Sequence, residues 1–496
     1  KGYVDLTAVH PKKGIMFIKG LQDNGVLATG KHFPGHGDTK QDSHKTLPII
    51  YHNKTTIDTF DIYPFKEAIK IGLNAIMVAH LFIPDIDTNK IACSLSPIII
   101  KQILIKNIGF DGLIMTDALN MKGVSDYYPP GELEVKALLA GNDILLLPSN
   151  VPLSIKYIKQ AINNKILNQE DIEKSCKKIL SYKYKLGLYD WKPINIKNIY
   201  DDLNNNSIKT INRKLYQSAI TLVKNTNNII PIKKLDTLKI ASVSLGTEKL
   251  TTFQQTMSNY ANINHFNLNK NANTKEIKNL IEKLNNYNLI IIGLHNTNDK
   301  TSENYGITNE QISFINNLKK NKKIILDIFA NPYSLSLFKD TSSIEAIIVS
   351  YENINYAEDA SAQIIFGGMP VTGKLPVSTP LFKAGHGITI NNIIRLKYVT
   401  PEEINIKSNI IEKIDSLINK AIADSIFPGC QIIYAYKGQV FYKKSFGKHT
   451  YDNNSKKVED TDLYDLASLT KILATTLSIM KLYEQKKIKL HNTLGD

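Results

Sequence analysis

Through residues 1–190 the apolar positions fall in short unbroken runs, each ending in polar residues and followed by a stretch with helical spacing. Residues 26–32, 74–80 (Asn-Ala-Ile-Met-Val-Ala-His), 112–117 (Gly-Leu-Ile-Met-Thr-Asp) and 142–148 (Asn-Asp-Ile-Leu-Leu-Leu-Pro) are four such runs. A strand that is apolar at every position is buried on both faces, and in a strand-helix repeat that means a parallel sheet. Polar residues gathered where each strand ends are the habit of a (β/α)8 barrel, which builds its site from strand C-termini and the loops after them. Four units are half of such a barrel. The pattern therefore predicts an α/β chain that opens with the C-terminal half of a TIM barrel, its early strands absent. The last barrel helix is expected over 169–186, with Ile172, Cys176, Ile179, Leu180 and Lys183 at helical spacing, Asn168 as N-cap and Gly187 as the stop.

Trp191-Lys-Pro193 and the polar run 201–207 predict a linker over 191–210. Alternation resumes over 211–398 with strands at 239–245, 288–294, 323–329 and 345–351. Helices at 274–284 and 309–318 lie among them, and the sum is an open α/β sandwich domain closed by the Gly/Pro-rich segment 367–378. From 399 to 496 the character changes again. A helix near 402–424 leads to a hairpin of 429–436 and 439–443 turned at Lys437-Gly438, and a further helix opens at Leu466-Ala-Ser468-Leu-Thr-Lys471.

A chain of 496 residues suits two to three domains, each able to bury a core. The net charge of +15 raises the question of a nucleic-acid partner. The lysines, however, are spread along a chain equally rich in Asn and Ile, and no basic and aromatic cluster forms, so no nucleic-acid binding is expected. Attraction to an anionic polymer is compatible with the charge. Cys93, Cys176 and Cys430 lie far apart and imply neither a disulfide framework nor a metal motif. No transmembrane run or signal peptide is present, and Lys1-Gly-Tyr-Val-Asp5 without an initiator Met reads as the start of a fragment.

The densest chemistry is Lys31-His-Phe-Pro-Gly-His-Gly-Asp38, followed by Thr39-Lys-Gln-Asp42-Ser43-His44. Three histidines, two lysines and two aspartates occupy a loop turned by Pro34, Gly35 and Gly37, a mixture that no packing need explains. His32 and His36 stand four apart as in a helical zinc signature. Pro34 and Gly35 between them break a helix, so the two imidazoles do not share a face and no metal is expected. Asp117, ending a buried strand, is either a helix N-cap or, coupled to the loop, a nucleophile.

Lys31-His32-Phe-Pro-Gly-His-Gly with Asp42-Ser-His44, then Thr116-Asp117-Ala-Leu-Asn-Met121, closely resembles the exo-β-N-acetylglucosaminidases of family 3 glycoside hydrolases. The resemblance runs over about residues 1–380, with Gly373-Lys-Leu-Pro-Val-Ser378 similar to the end of that family's second domain. It implies Asp117 as the nucleophile that forms a glycosyl-enzyme, His44 as general acid/base, Asp42 as its dyad partner, and Lys31 and His32 as ligands of the terminal sugar's hydroxyls. It also implies a carbohydrate substrate, N-acetylglucosaminyl muropeptides or related glycans, with no cofactor, and a periplasmic or cell-envelope setting. The chemistry is consistent with this. An imidazole with an ordinary pKa near 6.5 can give a proton to a leaving oxygen and then take one from water near neutrality, and Asp42 could hold the ring and raise that value. A covalent Asp117 ester gives retention.

Three alternatives remain: a family 3 β-glucosidase with its acid in the second domain, for which Glu352 or Asp359 are the stand-ins; a phosphorylase; and a non-enzymatic wall-binding scaffold. Ser468-Leu-Thr-Lys471 is an S-x-x-K, which on a helix sets serine and lysine on one face. With the helix, hairpin and Asp462-Leu-Tyr-Asp-Leu-Ala467 before it, the segment resembles the N-terminal part of a β-lactamase-like or penicillin-binding-protein-like α+β domain, Ser468 being its possible nucleophile and Lys471 its base.

Overall fold

The computed structural model describes all residues except 1, 2, 7–10, 38, 40–42, 44, 494 and 496; for residues 3–5 it describes the backbone only. The chain divides into two compact units, Lys1–Ile194 and Asn195–Asp496.

The first unit is built on a four-stranded parallel sheet, β1 (Tyr3–Asp5), β2 (Thr29–Phe33), β3 (Ala75–Val78) and β4 (Leu113–Thr116), in that spatial order. β3 is buried at every position, because helices cover one face and the other packs inward. Phe33, Phe65, Ile76, Val78, Leu104 and Ile114 form its core, with Phe33 and Phe65 edge to face at 5.2 Å. Among the described residues the sheet is open, not a closed barrel. The short β1 was not apparent from the apolar pattern.

The run 142–148 contributes only a single parallel bridge, Met115 to Ile144. Two local causes stop it from pairing further. The Asp143 carboxylate takes the Ile114 N–H at 3.0 Å, and Leu147 adopts a left-handed backbone with φ 47°. The helix Gln169–Lys185 begins where Asn168 accepts the Glu170 N–H at 3.0 Å, and Gly187 follows it at φ 75°. Its apolar positions are only half-buried or exposed, Cys176 among the exposed.

The second unit holds a six-stranded sheet, β5 (Thr221–Asn225), β6 (Ile240–Leu245), β7 (Asn264–Leu268), β8 (Leu289–Leu294), β9 (Lys323–Ile328) and β10 (Ala346–Val349), in the order β5-β10-β9-β8-β6-β7. All neighbours are parallel except β5 against β10. Every residue of β8 is buried. Ile290, Ile292 and Leu294 join the core on one face and Leu289 and Ile291 the core on the other. Helices Thr274–Leu284 and Asn309–Leu318 start at capping boxes, Asn273 with Glu276 and Thr308 with Gln311. The polar run 201–207 is not open linker. Asn205 accepts the Ile208 N–H at 3.1 Å and starts the helix Asn206–Ala219.

The last hundred residues of this unit form a three-stranded sheet of β11 (Lys397–Tyr398), β12 (Gly429–Tyr436) and β13 (Gln439–Gly447), with β13 central. Lys437 and Gly438 turn the hairpin at φ 48° and 76°. No described helix is long and apolar enough to cross a membrane.

A buried ion cluster ties this segment to the six-stranded domain. Arg213 donates to Glu403 at 2.6 Å, pairs with Asp359 at 2.8 Å and donates to the Tyr398 carbonyl at 3.1 Å. Burial pushes the Glu403 carboxyl up, but the Arg213 charge, the Thr400 N–H and Lys397 outweigh it and hold it below the usual range. A depressed folded pKa stabilises fully above the unfolded value, and that contribution is lost as pH falls through the folded one. Removing one partner of a buried pair costs about 3–5 kcal/mol. Arg213→Ala should lose about that much stability in urea unfolding at neutral pH, and the deficit should shrink on acidification; a loss under about 1 kcal/mol would show the cluster to be solvated like a surface pair.

Candidate active site

Strands β2 and β4 both deliver polar residues at their C-terminal ends, and β3 between them sets the spacing. Gly30 is in register with Ile76, but Phe33 with Val78, so β2 carries one extra residue at Lys31-His32. Such a bulge re-aims side chains that a regular strand would alternate. On the other side Val78 is in register with Thr116, and the Asp117 N–H donates to the Val78 carbonyl at 3.0 Å.

This pairing brings His32 and Asp117 together. Asp117 Oδ1 accepts the Ala118 N–H at 2.8 Å, and Oδ2 lies 3.7 Å from His32 Nε2. Both side chains are mostly buried, at 15% and 20% exposure, which strengthens their interaction relative to a surface pair. The His32 ring meets His36 edge to face at 5.7 Å. Lys31 lies next to His32 in the bulge and is half-buried.

The loop after β2 folds on its own side chains. His36 lies between Thr39 Oγ1, 3.0 Å from Nδ1, and Ser43 Oγ, 3.2 Å from Nε2. Gly35 sits at φ 156° against Asp61, whose Cβ is 2.8 Å from where a glycine side chain would begin. Asp61 in turn pairs with His52 Nδ1 at 2.7 Å. Asp42 and His44 lie outside the described residues. Ser43 between them is buried, and its carbonyl, with that of Thr46, closes on Gly123 in the helix after Asp117.

Ser468 and Lys471 belong to the second unit, where Lys471 Nζ donates to Ser468 Oγ at 3.0 Å and both are exposed. Of the acids considered as stand-ins, Glu352 accepts the Tyr216 hydroxyl, and Asp359 is held by Arg213, Thr256 and Gln363. No group of three described His, Cys, Asp or Glu residues could hold a metal ion.

Sequence reasoning left out His80, which ends the run 74–80 as Asp117 ends its own. Fully buried, it binds Ser94 Oγ through Nδ1 at 2.7 Å and the Ala118 carbonyl through Nε2 at 3.0 Å. Burial lowers its proton affinity, and the charge of Asp117 opposes that shift without cancelling it. The available signal was the shared position of the two residues at strand ends.

Residues 3–182 match the model of the glycosyl hydrolase family 3 N-terminal domain. Beta-hexosaminidase A of Pseudoalteromonas piscicida is 31% identical over 282 residues, 53% of this chain and 46% of that protein. A beta-hexosaminidase of Glaesserella parasuis serovar 5 (strain SH0165) is 45% identical over 132 residues, 26% of this chain and 38% of its own. The chain thus spans less than half the length of these relatives. Among solved structures, a glycoside hydrolase family 3 beta-N-acetylglucosaminidase from Paenibacillus sp. str. FPU-7 aligns with a TM-score of 0.61 at 25% identity, covering 75% of this chain and 70% of that one. Beta-glucoside phosphorylase BglX aligns with a TM-score of 0.63 at 20% identity over 76% of this chain and 74% of that one, a likeness of fold.

The backbone approach at Gly123 is testable in isolation. A Cβ there would lie 2.8 Å from the Thr46 oxygen and 2.9 Å from that of Ser43, neither of which can swing aside as a side-chain tip would. Overpacking of this kind costs about 1–3 kcal/mol. Gly123→Ala should lower the urea midpoint accordingly and speed proteolytic cleavage within 38–46. Unchanged cleavage would mean that the loop does not depend on this contact.

Proposed function

We propose that this chain, which carries a family 3 glycosyl hydrolase N-terminal domain over residues 3–182, is a retaining exo-β-N-acetylglucosaminidase acting on terminal β-linked N-acetylglucosamine of peptidoglycan fragments. The observation that carries the reading is the carboxylate of Asp117, mostly buried at a strand end, with one oxygen held by a backbone N–H and the other turned toward His32. The hexosaminidase relatives and the β-N-acetylglucosaminidase structure support the same substrate class.

In this reading Asp117 Oδ2 attacks the anomeric carbon as the bond to the leaving oxygen breaks, and His44 supplies the proton that oxygen needs. Water then attacks the same carbon, His44 takes its proton, and Asp117 is released as carboxylate. Two inversions give retention. Asp42 orients His44 and raises its pKa, while Lys31 and His32 bind hydroxyls of the terminal sugar. His36 and Gly123 both contact Ser43, the described residue that lies between Asp42 and His44 in sequence. Residues 399–496 are read as the start of a serine hydrolase-like module, separate from this chemistry. Faster cleavage of an aryl β-glucoside than of an aryl β-N-acetylglucosaminide, or turnover only with phosphate, would replace this function with one of its rivals.

Asp117→Asn should abolish hydrolysis and prevent labelling by a fluorosugar trap, since an amide cannot form the ester. Peptide mass spectrometry that finds the label on another carboxylate would move the nucleophile there.

His44→Ala should lose about 10²- to 10⁴-fold on a muropeptide, whose leaving oxygen needs protonation, yet nearly keep the glycosylation rate with a nitrophenyl sugar. The intermediate should accumulate, and azide should speed its release. Equal losses on both substrates without an azide effect would exclude His44 as acid/base. Ser468→Ala should leave both substrates unaffected, and a loss comparable to that of Asp117→Asn would join the serine segment to the glycosidase.

A further inference from the structure

The end of β4 is gripped by β3 at two alternate residues. Val78 accepts the Asp117 N–H at 3.0 Å, and two residues on His80 Nε2 lies 3.0 Å from the Ala118 carbonyl. A carbonyl oxygen only accepts, so Nε2 carries the ring proton, and Nδ1 accepts the Ser94 hydroxyl at 2.7 Å. Both nitrogens of a neutral imidazole are thereby used. Ser94 is fixed in its turn. Its N–H donates to the Ala79 carbonyl at 3.1 Å, and its carbonyl accepts from Asn142 Nδ2 at 2.8 Å.

Ala118 is the residue through which this reaches the carboxylate. Its carbonyl, in the peptide it shares with Leu119, is held by His80, and its N–H, in the peptide it shares with Asp117, donates to Asp117 Oδ1 at 2.8 Å, so holding the first restrains rotation about the Ala118 Cα and with it the second. We infer that His80 is a positioning residue for Asp117, one that helps to aim Oδ2 by anchoring Ala118 through its carbonyl and never meets the sugar. The inference rests on the reading of Asp117 as nucleophile. Full burial keeps the ring from substrate and from water, and the lowered proton affinity keeps it neutral, so that Nδ1 is free to accept from Ser94 while Nε2–H donates to Ala118.

Two substitutions divide the ring's contacts. The amide of Gln reaches the place of Nε2 and can still donate to Ala118, whereas that of Asn reaches only the place of Nδ1 and keeps Ser94. A misplacement near 1 Å costs about a hundredfold in rate. In the full-length protein, His80→Asn should lower kcat for an aryl β-N-acetylglucosaminide, and the rate of fluorosugar labelling of Asp117, by about ten- to a hundredfold. KM should stay within about twofold, because the sugar ligands are untouched, and His80→Gln should recover most of the loss. Parental rates in His80→Asn, or equal losses in both variants carried by KM, would overturn the inference. Should His80→Asn not fold, ¹⁵N NMR of the histidine-labelled parent decides: a neutral ring protonated at Nε2 supports it, and a charged ring or the Nδ1–H tautomer overturns it. If the parent is labelled on a carboxylate other than Asp117, the functional reading itself fails and this inference falls with it.

Discussion

Parallel pairing of β2, β3 and β4 is the constraint on which the candidate site depends. Parallel strands in one sheet end on the same side, so the residues that follow each strand converge however far apart they lie in sequence. Here the register of β3 with both neighbours sets the spacing, and the extra residue in β2 turns Lys31-His32 out of the regular alternation. His32 and Asp117 meet because of that register and that bulge; neither residue has any local reason to face the other.

The polar groups at this edge are held in layers. The Ala118 N–H holds the Asp117 carboxylate, a buried imidazole holds the carbonyl of that same residue, and a buried serine holds the imidazole. The carboxylate keeps 15% exposure whereas the imidazole and the serine are fully buried, where a side chain has fewest alternative rotamers. A carboxylate aimed by such a stack loses little freedom when a substrate arrives, which is the physical meaning of preorganisation. The loop after β2 is organised by a different device. Histidine, threonine and serine side chains close it on itself, while Gly123 admits the Ser43 and Thr46 carbonyls, and Gly35 the Asp61 side chain, closer than a Cβ would allow.

The second unit uses the same strand-helix repeat, and at the end of β8 His295 pairs with Glu358 at 3.4 Å. A second ionisable cluster, of Arg213, Asp359 and Glu403, lies where the six-stranded domain meets the hairpin segment, and its carboxylates are committed to Arg213. That commitment weighs against Asp359 as an acid. Glu352, engaged by Tyr216, is in a similar position.

The amino-acid sequence by itself determined strands buried at every position or at all but one, among them β3, β4, β8 and β9, because a strand covered on both faces is mostly apolar and such runs have few other readings. It also determined helices with strong caps, such as Thr274–Leu284 and Asn309–Leu318, and it singled out Lys31, His32 and Asp117 as polar residues where apolar runs end. Tertiary structure alone decided the rest. The edge strands β5 and β7 carry mixed residues, since an edge is only partly covered, and so left no clear pattern. The run 142–148 is as apolar as a true strand, yet a side-chain carboxylate intercepts a backbone donor and its pairing stops at one bridge. His80 reads in sequence as the polar end of one more strand. Its place beneath Asp117 follows from β3 lying beside β4, a fact of register that no local stretch of residues contains.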